Sequence, residues 1–341
     1  MININDGRNN MKDEKRTMKA QNISIIGLGR LGVSIGLAVQ QSSLEVSVVG
    51  HDRDNDVAQL ALGTGAVNKL EVDVRNLASK ADILVLAVPF TELEPLLSVI
   101  GDRVQGHTLL LDLTPLKAPS LKLAEKYVGQ GHYVGANLVL SAQWLVDGRT
   151  ELEAASGDVF KNGVFCLMPS PKADPKAVET AVNFGRLLGA SPYFVDPMEY
   201  DGLLTGVQTV PGLLAAALFR SVAQSTGWRD MLRFAGVPFA MSTQPLMNGE
   251  DIAHEALSNK IATLRWLDAV MVELKAIHRL VQDGEAEILT AALSGLFLDR
   301  SAWLAEREKN LWIEVDAPDL DSYSISSHFL GNLASRRKKD E

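Results

Sequence analysis

Short apolar runs alternate with amphipathic stretches over the first two thirds of this chain. The runs have strand length, and most of the intervals between them have helical spacing. This alternation predicts βαβ units, and therefore an α/β domain of the doubly wound Rossmann type with a mainly parallel sheet. The expected strands are 23–26, 44–49, 82–88, 108–112, 132–136, 163–168 and 192–195, and the expected helices are 56–63, 91–101, 118–129 and 174–189.

The pattern changes after Pro197, where only helical stretches follow, at 198–226, 250–281, 284–297 and 299–311. The segment 207–222 is apolar almost all round, as in a helix at a bundle centre or between two subunits. The second position is favoured, which predicts a homodimer through the C-terminal helices. The expected division is a disordered leader (1–20), a nucleotide-binding Rossmann domain (21–196), an all-α dimerisation and substrate domain (197–312) and an irregular tail (313–341).

A glycine-rich turn follows the first expected strand and leads into a helix. Gly27, Gly29 and Gly32 have the G-x-G-x-x-G spacing that allows a tight turn, close approach to a pyrophosphate and helix–strand packing. Asp52 ends the next strand, where a carboxylate can accept both ribose hydroxyls. The alternative is that these glycines serve packing only. The residues expected to bind the cofactor are Gly27, Leu28, Gly29, Arg30, Leu31, Gly32, Asp52, Arg53, Val88, Pro89 and Thr114.

The pattern favours NAD, with NADP as the alternative, because Arg53 could meet a 2′-phosphate but also suits a solvent-facing position. A net charge of −9 argues against a nucleic-acid partner. Apolar runs of about ten residues are too short for a membrane span, and the polar N-terminus does not resemble a signal peptide. We therefore expect a cytoplasmic protein. The single Cys166, in an apolar run, excludes a cysteine-cluster metal site, and no metal is assigned.

Several motifs, in this order, resemble the prephenate and arogenate dehydrogenases. They are the glycine turn, 50–54, 81–89, Leu111-Asp112 with Lys117, 174–175, 187–190 and 196–201, and the similarity runs from about 22 to 300. The resemblance implies a nicotinamide-binding domain joined to a helical dimerisation domain, with the active site between them. It also implies an oxidative decarboxylation of tyrosine biosynthesis. In that reaction a ring carbinol loses a hydride to the nicotinamide and the ring carboxylate leaves as CO₂.

The chain departs from the resembled family where its chemistry is expected. Asn137 stands where the family has the histidine that hydrogen-bonds the reacting hydroxyl, and Pro115 stands for a serine. The family motif S-H-x-P-H reads Gln208-Thr209-Val210-Pro211-Gly212, and its carboxylate-binding arginine aligns near Gln244. Neutral side chains at these positions suit a less charged ligand or a site without catalysis, since an asparagine cannot take a proton near neutral pH.

Lys117 remains as a candidate general acid or base, and Lys117 and Asn137 are the expected catalytic residues, nearest the reacting oxygen. Alternatives are an ordinary lysine at a helix start and ordinary turn residues. The expected substrate-binding residues are Ser141, Gln208, Thr209 and Gln244. For Gln208 and Thr209, hydrogen bonding between helices is the alternative.

The leading functional hypothesis is an NAD(P)-dependent oxidoreductase that takes a hydride from a small cyclic or aliphatic hydroxy acid. The first alternative is a dinucleotide-binding protein that has lost catalysis and acts as a sensor or partner subunit. The second is a β-hydroxyacid-type dehydrogenase or imine reductase with another substrate.

Overall fold

The computed structural model describes residues 20–145, 149 and 151–309. Apart from Ala20 the expected leader lies outside these residues, as does the expected tail. The described strands form a sheet in the order β3-β2-β1-β4-β5-β6-β7-β8. Their bounds are β1 Asn22–Ile26, β2 Ser47–His51, β3 Lys69–Leu70, β4 Ile83–Leu86, β5 Leu109–Asp112, β6 His132–Val139, β7 Val164–Pro169 and β8 Ser191–Phe194.

Neighbouring strands are parallel except β6 and β7, which are antiparallel. Strand β1 lies between β2 and β4, so the order reverses beside β1. In an open α/β sheet this is the point where the carboxyl ends of the strands leave a crevice for a ligand. The predicted doubly wound, mainly parallel sheet is confirmed.

The helices of the sheet domain begin at residues that can cap them. Asp54, Asp73 and Asp174 each accept a hydrogen bond from a backbone N–H of the first turn, which satisfies donors that a helix leaves unpaired. The sequence pattern missed α3 and the two-residue β3, since both are shorter than the window that reveals periodicity. The helices are α1 Arg30–Gln40, α2 Asn55–Gly63, α3 Val74–Lys80, α4 Phe90–Ile100, α5 Ala118–Tyr127, α6 Ala142–Leu145 and α7 Pro175–Leu187.

From Pro197 onward the described chain is helical, as predicted, but its boundaries differ. The expected helix 250–281 is interrupted at Asn259, whose amide donates to the Asp201 carbonyl and the Thr205 hydroxyl, 3.0 Å each. The expected helices 284–297 and 299–311 form one helix, α14. The bounds are α8 Pro197–Leu204, α9 Val210–Ala223, α10 Trp228–Phe234, α11 Val237–Thr243, α12 Gly249–Ser258, α13 Lys260–Asp283 and α14 Ala286–Lys309.

A π-helical turn, Thr205–Thr209, joins α8 to α9 in one continuous helix. The Val210 amide donates to the Thr205 carbonyl, five residues back. Pro211 follows at once, and its ring cannot donate a hydrogen bond and would crowd the preceding turn of a regular α-helix. The wider π turn relieves that conflict. Such turns occur often at functional sites.

Two described helices, Pro197–Ala223 and Ala286–Lys309, have the length and apolar composition of membrane spans. The sequence expectation rested on short apolar runs, but single polar residues interrupt these helices without ending them. The first packs on the sheet through the buried Asp201 and Tyr200. Its composition is therefore that of a helix inside a folded protein.

Three polar contacts hold the helices over the carboxyl edge of the sheet. The Asp201 carboxylate accepts the backbone N–H groups of Lys117 and Ala118, at 2.7 and 2.9 Å. The Thr91 hydroxyl at the start of α4 donates to Asp251 of α12 at 2.8 Å. Arg307 of α14 donates to the Leu140 carbonyl, beyond β6, at 2.6 Å. These contacts place the helices beside the carboxyl edge of the sheet, the edge at which ligands bind in open α/β folds.

Candidate functional site

Packing requires two glycines of the glycine turn, Gly27 and Gly32, but it does not require the third, Gly29. Gly27 has φ +93°, and a Cβ there would lie 2.3 Å from the Ala87 carbonyl oxygen; a Cβ on Gly32 would lie 1.9 Å from that of Gly27. Around Gly29 a Cβ would meet no atom within 4 Å. Packing therefore requires glycine at 27 and 32, whereas Gly29 leaves an open concavity. That shape fits a pyrophosphate approaching the backbone.

Helix α1 begins directly after this concavity. Its N-terminal residue Gly29 offers no side-chain cap, and the first turn holds no acidic residue. Unpaired N–H groups and the helix dipole make such an end a site for anions. Arg30, the first helical residue, donates to the Arg149 carbonyl and lies over the Trp144 ring, with 6.0 Å to its centroid. Its side chain thus covers one flank of the turn.

Asp52 follows β2 and points at the glycine turn. Its carboxylate accepts the Leu28 N–H at 2.7 Å and the Asp54 N–H at 2.9 Å, one on each oxygen. Each oxygen keeps a lone pair for a ribose hydroxyl. Arg53, with a side chain 76% exposed, pairs with Glu92 at 2.5 Å. Because its charge is matched by a carboxylate, the structure favours the unphosphorylated ribose of NAD.

The ends of β4 and β5 complete this edge. Val88 is half-buried, with one methyl 3.3 Å from the Cβ position of Gly27, and Pro89 is exposed before α4. Thr114 is buried; its amide donates to Asp112 at 2.8 Å and its hydroxyl shares a 3.1 Å hydrogen bond with Ser120. The Thr114 hydroxyl is therefore held by Ser120, and the expected contact of Thr114 with the cofactor stays a prediction.

Lys117 is fully buried beneath the β5 turn. Its ammonium group donates to the Asp112 carbonyl at 2.7 Å, to the Asp112 carboxylate at 3.4 Å and to the Thr114 carbonyl. Burial lowers the pKa of Lys117, and the nearby Asp112 carboxylate opposes that shift. All three ammonium protons have acceptors, an arrangement that holds the turn in place, and the proton-transfer role of Lys117 stays a prediction.

Asn137 lies on the β6 face that the helices cover. It pairs across the antiparallel ladder with Cys166, so both side chains are on one face of the sheet. Cys166 packs against Tyr200 of α8. Burial raises the pKa of the Cys166 thiol to about 11, which agrees with the expected inert thiol. Asn137 therefore stands beside the junction of sheet and helices, as the resemblance implied.

Two buried hydroxyls near this junction lack hydrogen-bond partners among the described residues: Tyr200 Oη and Ser141 Oγ. Burial raises the pKa of Tyr200, so it stays a neutral donor. A buried hydroxyl left unpaired costs about 1–3 kcal/mol. A polar ligand would satisfy both groups.

The other expected substrate residues are dispersed. Gln208 is exposed on the π turn, and Gln244 is half-buried at the end of α11. Thr209 is buried and donates to the Glu255 carboxylate at 2.9 Å. The structure joins Thr209 to a partner that no motif indicated, and it does not join it to Gln208 or Gln244 in a described contact.

Sequence reasoning missed Tyr200, Asp201, Glu255 and Arg307 as members of this site. Tyr200 and Asp201 belong to the segment 196–201, so the resemblance marked their position but not their role. Glu255 and Arg307 come from helices with ordinary amphipathic patterns. Only the tertiary fold brings Glu255 to Thr209, 46 residues away.

A known family matches the sheet domain. The family described as "Prephenate dehydrogenase, nucleotide-binding domain" matches residues 35–193. A curated relative, prephenate dehydrogenase of Bacillus subtilis (strain 168), is 25% identical over 283 residues, which cover 78% of this chain and 72% of that protein.

Solved structures share the whole fold. Prephenate dehydrogenase from A. aeolicus, in complex with hydroxyphenyl propionate and NAD+, superposes with a TM-score of 0.70 at 18% identity, covering 83% of this chain and 98% of the other. Arogenate dehydrogenase from Synechocystis gives a TM-score of 0.63 at 19% identity, covering 83% and 100%. At these identities the likeness concerns the fold.

Proposed function

We propose that this chain belongs to the prephenate and arogenate dehydrogenase family and is an NAD-dependent oxidoreductase that oxidises a cyclic hydroxy acid of the prephenate or arogenate type in tyrosine biosynthesis. The open concavity at Gly29, beside the Asp52 carboxylate, carries the proposal, because it fits a dinucleotide and serves no packing need. The proposed nucleotide-binding domain is 21–196, and the helical dimerisation and substrate domain is 197–312.

Bound NAD would supply the hydride acceptor of the reaction. The residues that would hold it are the turn Gly27–Gly32 and the first N–H groups of α1 for the pyrophosphate, and Asp52 for the ribose. Val88 and Pro89 would line the same edge. Burial of Lys117 and Asp112 keeps the β5 turn fixed, so that the cleft wall does not shift when a substrate binds.

The substrate would lie between β6 and the helices. Asn137 can donate or accept one hydrogen bond, and the unpaired hydroxyls of Tyr200 and Ser141 can donate to oxygens of a hydroxy acid. Gln208 and Gln244 remain candidates for its outer end. These side chains are neutral. They therefore favour a ligand that brings few unbalanced charges into contact with β6.

The decisive experiment measures NAD+ and NADP+ binding by fluorescence and then turnover of prephenate and of arogenate. We expect NAD+ to bind more tightly than NADP+, and one of the two acids to reduce it. An Asn137→His variant, measured in parallel, should keep the wild-type preference between the two acids. Binding of NAD+ without turnover of either acid would leave a dinucleotide-binding protein without this activity, and would contradict the proposal.

Two glycine variants test the nucleotide site itself. Gly29→Ala adds a methyl group that meets no protein atom within 4 Å, so it should leave the melting temperature unchanged yet weaken NAD+ binding about 10-fold or more, by intruding on the pyrophosphate. Gly32→Ala places its methyl group 1.9 Å from a carbonyl oxygen and should destabilise the protein itself. Full NAD+ affinity in Gly29→Ala would place the cofactor elsewhere.

We further infer a cytoplasmic homodimer formed through the helical domain. Large apolar side chains on α13 and α14 are exposed in the single chain, among them Val272, Val281, Leu296, Phe297 and Leu298. Large exposed apolar side chains on two neighbouring helices are typical of an interface. A second copy of this chain, rather than lipid, is proposed to cover the exposed side chains of α13 and α14. The helical domain is held to the sheet domain, since α8, which leads into α9, packs on it.

A further inference from the structure

Glu255 is a buried carboxylate in the cleft that no sequence motif indicated. Its side chain belongs to a residue only 6% exposed, and the Thr209 hydroxyl donates to Oε2 at 2.9 Å. Thr209 closes the π turn, where the resembled family has a histidine in S-H-x-P-H. A buried carboxylate thus stands behind the residue that replaces a histidine of the resembled family.

Helix α12 fills the space that the smaller residues leave. A Cβ on Gly212, the position of the second family histidine, would lie 2.8 Å from Cδ1 of Ile252. Ile252 and Glu255 are three residues apart and share one face of α12. The same face of α12 therefore packs against both positions. The apolar Ile252 side chain lies at Gly212, and the Glu255 carboxylate lies at Thr209.

An independent observation points to a ligand here. Tyr200, 7% exposed, has a hydroxyl without a hydrogen-bond partner among the described residues, and it packs in one cluster with Leu204, the residue before the π turn. On the other side, Asp251, one turn before Glu255, accepts from Thr91 next to the exposed Pro89. Helix α12 thus contacts the start of α4 through Asp251 and the π turn through Glu255.

We propose that Glu255, acting through the Thr209 hydroxyl, is the proton acceptor of this site, in place of a histidine. The inference rests on the proposed function. The substrate O–H proton moves to Thr209 Oγ1 while the Thr209 proton moves to Glu255 Oε2. The carbinol C–H bond breaks and its hydride, with both electrons, goes to NAD+, so that the C–O bond becomes a carbonyl. Glu255 then returns the proton through Thr209 to the product or to water.

The surroundings suit a base that works near neutral pH. Burial raises the pKa of Glu255, the Thr209 hydrogen bond lowers it, and the Asp251 carboxylate raises it. Tyr200, from α8, is the other titratable group that interacts with it, and it stays neutral. As pH falls, Glu255 gains a proton and loses its acceptor function. The rate should therefore decline as the pH falls. The decline should begin at a pH above the usual pKa range of a glutamate.

Variants at two positions test the relay. Glu255→Gln keeps the shape but cannot take a proton, so kcat should fall about 100-fold and the acidic limb of the pH profile should disappear. Glu255→Asp should have a kcat between those of Glu255→Gln and the wild type, and its pH profile should again show the acidic limb. Thr209→Val should resemble Glu255→Gln, and Thr209→Ser should resemble the wild type. Glu250→Gln, an exposed glutamate on the same helix, is the matched control and should change nothing.

A binding measurement complements the kinetics. With NAD+ present, the wild type should bind 3-(4-hydroxyphenyl)propionate more tightly than 3-phenylpropionate by calorimetry, and Thr209→Val, with an unchanged thermal transition, should lose that preference. Kinetics of Glu255→Gln equal to wild type, or an unchanged preference in Thr209→Val, would overturn the relay alone. Wild-type protein that binds NAD+ but turns over neither acid would overturn the proposed function and the relay with it.

Discussion

Lys117 and Lys126 form the same kind of ion pair in opposite surroundings. Lys117 meets Asp112 at 3.4 Å with both side chains buried, whereas Lys126 meets Glu94 at 3.0 Å with both exposed. Removing one partner of a buried pair leaves the other charge without compensation, at a cost of about 3–5 kcal/mol. An exposed pair contributes about 0–1 kcal/mol.

Lys117→Met should therefore lower the free energy of unfolding by about 3–5 kcal/mol, whereas Lys126→Met should change it much less. Urea unfolding followed by circular dichroism measures both. Adding Asp112→Asn to Lys117→Met should recover part of the loss, because the unpaired carboxylate is then neutral. Equal effects of the two lysine variants would contradict the structural role of Lys117.

Cys166 offers a second test of burial, since the chain has one cysteine. Its residue is 9% exposed, and burial raises the pKa of the thiol to about 11. At pH 8 roughly one thiol in a thousand is then ionised, and only the thiolate reacts. The native protein should react with Ellman's reagent far more slowly than the urea-unfolded protein. Comparable rates would mean that the helices do not cover β7.

Single residues were predictable from the sequence where backbone geometry dictates the residue type. Gly27 is required by its positive φ and Gly32 by the Gly27 carbonyl within the same turn, and Asp52 follows directly from the strand that precedes it. Glu255 was not predictable, because its role depends on a contact across the helical domain. For Lys117 the motif gave the position but not the carbonyls that surround its ammonium group.

At the scale of elements, the π turn links local geometry to packing. Gly206 lies within it, and a Cβ there would be 2.6 Å from the Trp266 ring, whose indole N–H donates to the Gly202 carbonyl at 2.9 Å. A Cβ on Gly202 would meet no atom within 4 Å. The Cβ position of Gly206 is thus closed by α13, whereas that of Gly202 is open.

Gly206→Ala should destabilise the protein by about 1–3 kcal/mol through overpacking against Trp266. Gly202→Ala, in the same helix, should be neutral or stabilising by up to about 1 kcal/mol, because alanine favours helix. Thermal unfolding, with Trp fluorescence as a second probe, distinguishes them. A loss of stability in both variants would indicate that the helix is packed at Gly202 as well.

Most elements could be predicted because strands and helices repeat apolar residues with different periods. The exceptions have physical causes. Strand β3 and helix α3 are too short for a period to show, and the interruption at Asn259 depends on its amide reaching α8. The π turn could not be read from periodicity, although Pro211 within an apolar helix was a local signal of it.

At the scale of the molecule, the proposed dimer predicts that α14 lies at the interface between two copies of the chain. Phe297, 67% exposed in the single chain, would be covered by a second copy. Phe297→Asp should shift the mass measured by light scattering from dimer towards monomer, because burying an unpaired charge at an interface is unfavourable. Val72→Asp, at an 89% exposed apolar residue of the sheet domain, is the control and should leave the mass unchanged. A monomeric wild type would contradict the proposed dimer.

The Asp201 carboxylate has a consequence for ligand affinity. By accepting two N–H groups at the start of α5, it fixes the first helix of the second domain against the sheet before any ligand arrives. The conformational entropy of ordering this wall of the cleft is then lost during folding rather than during binding. Ligand affinity therefore does not carry that cost, and a hydroxy acid encounters this side of the pocket in its final shape.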